Sequence, residues 1–108
     1  MTRIDLIFDK DCPHVDEART VLRSALEELG SGQVPWAEWD RASADTPNEL
    51  RQYGSPTVLV DGRDVAADDV PQMQSDGDAC RLYVDDLGQV AGAPSKNVIL
   101  AAIRRAHL

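Results

Sequence analysis

Cysteine is scarce in this chain, with Cys12 and Cys80 the only two among 108 residues. Two thiols are far too few to staple a disulfide scaffold, so the fold must rest on a buried core. Long apolar runs are missing too: none approaches the ~18–20 residues that a membrane-spanning helix needs. Basic residues are in the minority, eleven Lys and Arg against nineteen Asp and Glu, for a formal charge of -8. They lie scattered, with no basic patch, so phosphate backbones and anionic membrane surfaces are repelled. The expectation is no nucleic-acid partner and no membrane partner. The opening Met1-Thr2-Arg3-Ile4-Asp5 carries an acid and strand-like alternation, which is not the layout of a signal peptide. A cytoplasmic protein with reduced thiols is expected.

What is present is ordinary for a globular domain: 43% hydrophobic and 28% charged residues exclude disorder as the default. There is no internal repeat and no linker, so residues 1–108 read as one domain. Ile4 to Phe8 reads as a largely buried strand, and Asp9 to Cys12 as a short polar loop. Pro13 suits the first position of a helix whose apolar stripe runs through 15, 18, 21, 22, 25, 26 and 29, ending at Gly30. Val34 to Trp39 reads as a second strand, held at a sheet edge by Pro35. Thr46-Pro47-Asn48-Glu49 matches a capping box for a short helix over 47–52, closed by Gly54.

Pro56 to Val60 is β-branched and apolar and runs into Asp61-Gly62, a strong hairpin signal, with Arg63 to Val65 as the return strand. Residues 66–79 read as an exposed acidic loop and Arg81 to Val84 as another strand candidate. Ser95 caps a last helix with apolar positions at 98, 99, 102, 103 and 106; Arg104, Arg105 and His107 complement its dipole. The expected fold class is therefore α/β, a mixed four-stranded sheet flanked by three helices.

Cys12 stands at the junction of the first strand and first helix. Free amide N–H groups and the helix dipole favour a thiolate there, and a protonated His14 would act in the same sense. Asp9 and Asp11 oppose it, so the net effect stays open. A small half-buried cysteine without chemistry is the plain alternative. Gly54-Ser55-Pro56-Thr57 forms a turn before a strand, and by base rate the Ser55–Pro56 bond is trans.

Together, Asp11-Cys12-Pro13-His14 at a strand–helix junction and Ser55-Pro56-Thr57 opening the third strand resemble the thioredoxin-like superfamily, glutaredoxin-sized members above all. The resemblance covers most of the chain except 66–79. It implies a thioredoxin-like fold in which Pro56 is cis and packs against Cys12. It further implies that Ser55 offers its backbone to an extended peptide or to glutathione. Pro13 and Thr57 complete the substrate-binding set, and Cys12, His14 and Cys80 are the catalytic candidates.

The departure is Val15, which stands where the second cysteine of the redox motif would be. Three readings survive. Cys12 acts alone through mixed disulfides, as in monothiol glutaredoxins, with a protein thiol or disulfide, or glutathione as co-substrate. Alternatively Cys80 resolves the mixed disulfide, or the domain is a redox-inactive binding module. A disulfide needs Cα atoms within ~7 Å. If Arg63–Ala66 is the return strand, Cys80 can come near Cys12. If Arg81–Val84 pairs with 57–60 instead, Cys80 lies roughly 15–20 Å away. The turn residues favour the first threading.

A soft-metal site is a further option. Cys12, His14, Asp11 and Cys80 include ligands that suit zinc, copper(I) or mercury, and the pattern is similar to small proteins associated with mercury resistance. Two cysteines 68 positions apart are not strong ligand spacing, so no metal or other cofactor is assigned. Trp36 and Trp39, three apart, point to opposite strand faces, one of them core. Tyr53 and Tyr83 read as core-edge aromatics with wet hydroxyls. Asp61, Asp64, Asp68 and Asp69 lack the pattern of a calcium loop.

Overall fold

The computed structural model describes residues 3–30, 34–66, 83–84 and 87–106. Its elements run β1 (Ile4–Phe8), α1 (Val15–Glu28), β2 (Ala37–Asp40), α2 (Asn48–Arg51), β3 (Thr57–Val60), β4 (Arg63–Asp64), β5 (Tyr83–Val84), β6 (Val90–Ala91) and α3 (Lys96–Ala106). The first four strands form one sheet in the order β2-β1-β3-β4, with β2 parallel to β1 and the others antiparallel. The described residues thus form a mixed α/β fold with a four-stranded mixed sheet and three helices.

Period-two alternation sorts β1 between two environments. Ile4 and Leu6, with Val58 and Val60 of β3, join one core with Ala18, Leu22, Ala25 and Leu26 of α1 and Ile99, Leu100 and Ile103 of α3. Asp5 is also buried, and its carboxylate accepts bonds from Arg3 Nε at 3.0 Å and from Trp39 Nε1 at 2.9 Å. Trp36 precedes β2, and its ring packs at the margin of the main core. Both tryptophans are half-buried, which corrects the expectation that one of them is a core residue. β2 lies at the sheet edge but begins at Ala37, because Pro35 lies before the ladder rather than within it.

The stop and turn chemistry is local. Gly30, at φ 73°, ends α1 with its N–H on the Glu27 carbonyl at 3.0 Å. Asp61 and Gly62 both take positive φ, 52° and 83°, as a tight hairpin turn between β3 and β4 requires. Ser95 Oγ accepts the Val98 N–H at 3.2 Å and caps α3. The capping box at Thr46 does not form. Thr46 Oγ1 donates to the Asp40 carbonyl at 2.5 Å, and Pro47 takes the cap position of α2 without a side-chain bond. A second, two-stranded sheet pairs Tyr83 with Ala91 and Val84 with Val90. Its second strand escapes a sequence reading because two residues display no alternation. Among the described residues no helix is long and apolar enough to cross a membrane.

Candidate functional site

β1 ends at Phe8, and the turn that follows brings the Cys12 N–H to the Asp9 carbonyl at 3.0 Å. Helix α1 begins at Val15 with His14 as its cap residue, so Pro13 stands outside the helix rather than at its first position. The His14 side chain makes no capping bond. Cys12 is a free thiol, 8% exposed and apart from the main core cluster. Pro13 beside it is exposed, and His14 is half-exposed.

The antiparallel register Ile7↔Thr57 brings the start of β3 to the pole where β1 ends. There the Ser55–Pro56 peptide bond is cis, against the trans reading that base rates alone favour. Ser55 Oγ accepts the Asp9 N–H at 2.9 Å, tying this turn to the Cys12 loop. Thr57 Oγ1 donates to the Gly54 carbonyl at 2.6 Å, and the Tyr83 hydroxyl donates to the Pro56 carbonyl. Tyr83 is therefore fully buried with a bonded hydroxyl, where the sequence suggested a wet one at the core edge. Ser55, Pro56 and Thr57 are also closed off from solvent. Of these three, Ser55 is the one bonded to the Cys12 loop, whose Asp11 and Pro13 are exposed and His14 half-exposed.

The local charges are mostly compensated. Asp9 Oδ2 accepts from Arg41 at 2.8 Å, so its carboxylate faces a guanidinium as well as the thiol loop. Arg41 is anchored in turn by its N–H on the Phe8 carbonyl and its guanidinium on the Arg51 carbonyl. Asp11 is exposed. His14 Nδ1 lies 3.6 Å from Glu17 Oε2, an ion pair whenever the imidazole is protonated. The His14 ring rests directly on Gly92, where a Cβ would lie 2.2 Å from its Cγ and 2.3 Å from Nδ1. Gly92 joins β6 to the segment leading into α3, so three distant parts of the chain converge on the Cys12 turn.

Arg41, Tyr83 and Gly92 are site residues that the sequence pattern did not single out. A glycine outside a turn is a signal of close backbone approach, and Gly92 carried that signal. Val15 is buried in the first turn of α1, at the position a second motif cysteine would take. Cys80, His107, Asp68 and Asp69 lie outside the described residues, and with them the proposed Cys12–Cys80 couple. Among the described residues no three His, Cys, Asp or Glu side chains gather as metal ligands would. No family model, curated protein or solved structure matches this chain.

Proposed function

We propose that the chain is a thioredoxin-like domain that carries out thiol–disulfide exchange through Cys12 alone, in the manner of monothiol glutaredoxins. The carrying observation is a free cysteine on the β1–α1 turn, a turn that the buried Ser55 hydroxyl holds through the Asp9 N–H. The mixed sheet and the order of its helices support the same reading. The Cys12 thiolate attacks one sulfur of a partner disulfide. That S–S bond breaks, a mixed disulfide forms on Cys12, and the second partner sulfur departs as a thiolate. A thiolate of glutathione or of a protein then attacks the mixed disulfide, and Cys12 is released unchanged. His14, half-exposed two residues along, is assigned to return a proton to the departing thiolate.

The test is glutathione-dependent reduction of a mixed disulfide by wild type, Cys12→Ser and Cys80→Ser. Loss with Cys12→Ser alone is expected. Loss with either variant would bring Cys80 into the reaction, and no activity in wild type would leave a redox-inactive binding module, a reading that the buried Val15 favours. In the Cys80→Ser background, alkylation at pH 7 should be faster than for a model peptide thiol; equal rates would remove the basis for an activated sulfur.

A further inference from the structure

The helices cover the two faces of the main sheet unequally. Ile4, Leu6, Val58 and Val60 belong to the core shared with α1 and α3. The alternate strand positions fall on the other face. Asp5 pairs with Leu59 and Ile7 with Trp39, so these four side chains stand together there. Among the described residues the helix that meets this face is α2, four residues long with none of them buried. Such a helix is about 6 Å long, whereas four strands span about 14 Å. It leaves a cleft of about 610 Å³ between itself and the sheet. Small-ligand sites ordinarily measure about 300–1,000 Å³.

The cleft combines apolar, aromatic and acidic groups. Leu59 and Asp5, both buried, form its floor. Trp39 of β2, with Leu50 and Tyr53 from α2 and its flank, supplies apolar and aromatic surface. The Asp5 carboxylate is already satisfied, with Oδ2 accepting from Arg3 Nε at 3.0 Å and Oδ1 from Trp39 Nε1 at 2.9 Å. Arg3 is the one cation among the described residues that line the cleft, and its charge is used at Asp5. Two further carboxylates stand at the exposed margin, Glu49 and Asp61. Asp61 Oδ1 accepts the Arg3 backbone N–H at 2.7 Å, an uncharged donor. Glu49 has no hydrogen bond or ion pair among the described residues. The lining therefore carries more negative charge than it neutralises, beside two aromatic side chains. Those are the groups that hold an organic cation, with its ammonium near carboxylates and its carbon body on aromatic surface. An anion would be repelled.

We propose that the cleft between α2 and the sheet binds a small organic cation, an ammonium group on an aromatic body. Asp61 and Gly62 follow β3 at the end away from Pro56, so the site is separate from Cys12 and does not rest on the redox reading. The test titrates the full, isotope-labelled chain with phenethylamine, a cation at pH 7, and follows the two tryptophan indole N–H signals by NMR, told apart with Trp36→Phe. The Trp39 signal should shift saturably, while that of Trp36, which bonds Glu38, stays in place. Phenethyl alcohol should bind about fivefold more weakly or worse, and hydrocinnamate not at all. Glu49→Gln/Asp61→Asn should weaken phenethylamine by about fivefold or more and leave the remaining affinity less sensitive to salt. Both side chains are exposed, and asparagine suits the left-handed backbone at 61 while its Oδ1 still accepts the Arg3 N–H, so the variant keeps the fold. Cys12→Ser should bind as wild type does. No saturable shift at Trp39, equal affinity for the alcohol, or undiminished affinity in the double variant would overturn the proposal. So would loss of binding in Cys12→Ser, which would move the site to the thiol turn.

Discussion

Replacing Gly92 by Ala is a sharp probe of how the Cys12 turn is held. The Gly92 backbone lies outside the left-handed region, so an alanine there meets no conformational penalty of its own. The added Cβ meets the His14 ring instead, at 2.2, 2.3 and 2.5 Å from Cγ, Nδ1 and Cδ2. Ordinary contact begins near 3.4 Å, so the ring or the loop must retreat by roughly 1 Å. Because the His14 side chain is 40% exposed it can swing outward, which puts the cost toward the lower part of the usual overpacking range of about 1–3 kcal/mol. For a domain of this size each kcal/mol moves Tm by about 4–8 °C. The assay is urea denaturation of wild type, Gly92→Ala, His14→Ala and the double variant, read as midpoints at constant slope. With His14 gone the Cβ has room, so the cycle should show a coupling of about 1 kcal/mol or more. Cys12 alkylation should also change in Gly92→Ala, since His14 and Cys12 share one turn. A neutral Gly92→Ala, or a penalty undiminished in the His14→Ala background, would refute the contact.

Ser55→Ala removes the acceptor of the Asp9 N–H inside a buried turn, and leaving that donor unsatisfied should cost about 1–3 kcal/mol in chemical denaturation. An unchanged midpoint would mean that Ser55 does not brace the loop. Glu38 gives a pH test. Hydrogen bonding to Arg19, supplemented by the Trp36 indole, holds its carboxyl below the ordinary 4.5 against a burial effect of opposite sign. A folded value below the unfolded one means that the stabilisation is present above about pH 4.5 and lost as pH falls through the lowered value. Comparing wild type with Glu38→Gln across pH 3–8 should give a constant difference in the upper range that vanishes in acid. The pair is largely solvated, so the difference should stay below ~1 kcal/mol and shrink in 1 M salt. A difference that grows on acidification would contradict the assignment.

Features decided within a few residues are legible in the amino-acid order alone. The stripe of α1, its stop at Gly30, the Asp61-Gly62 turn and the Ser95 cap all follow from side-chain period and backbone preference acting locally. So does the placement of Cys12 between a strand and a helix. Thr46 shows the limit even at short range: its hydroxyl had two available partners, and the Asp40 carbonyl six residues earlier prevailed over the helix start. What makes a site of Cys12 is not legible there, because each brace joins residues far apart in the chain. Ser55 meets the Asp9 amide across 46 positions, Arg41 meets Asp9 across 32, and the Tyr83 hydroxyl meets Pro56 across 27. Gly92 meets His14 from the other end of the fold. Propensity and period describe how a segment bends and which face it buries. They carry no record of which buried donor will face which acceptor, and that choice falls to the packing of the sheet, the hairpin and α1 around the turn.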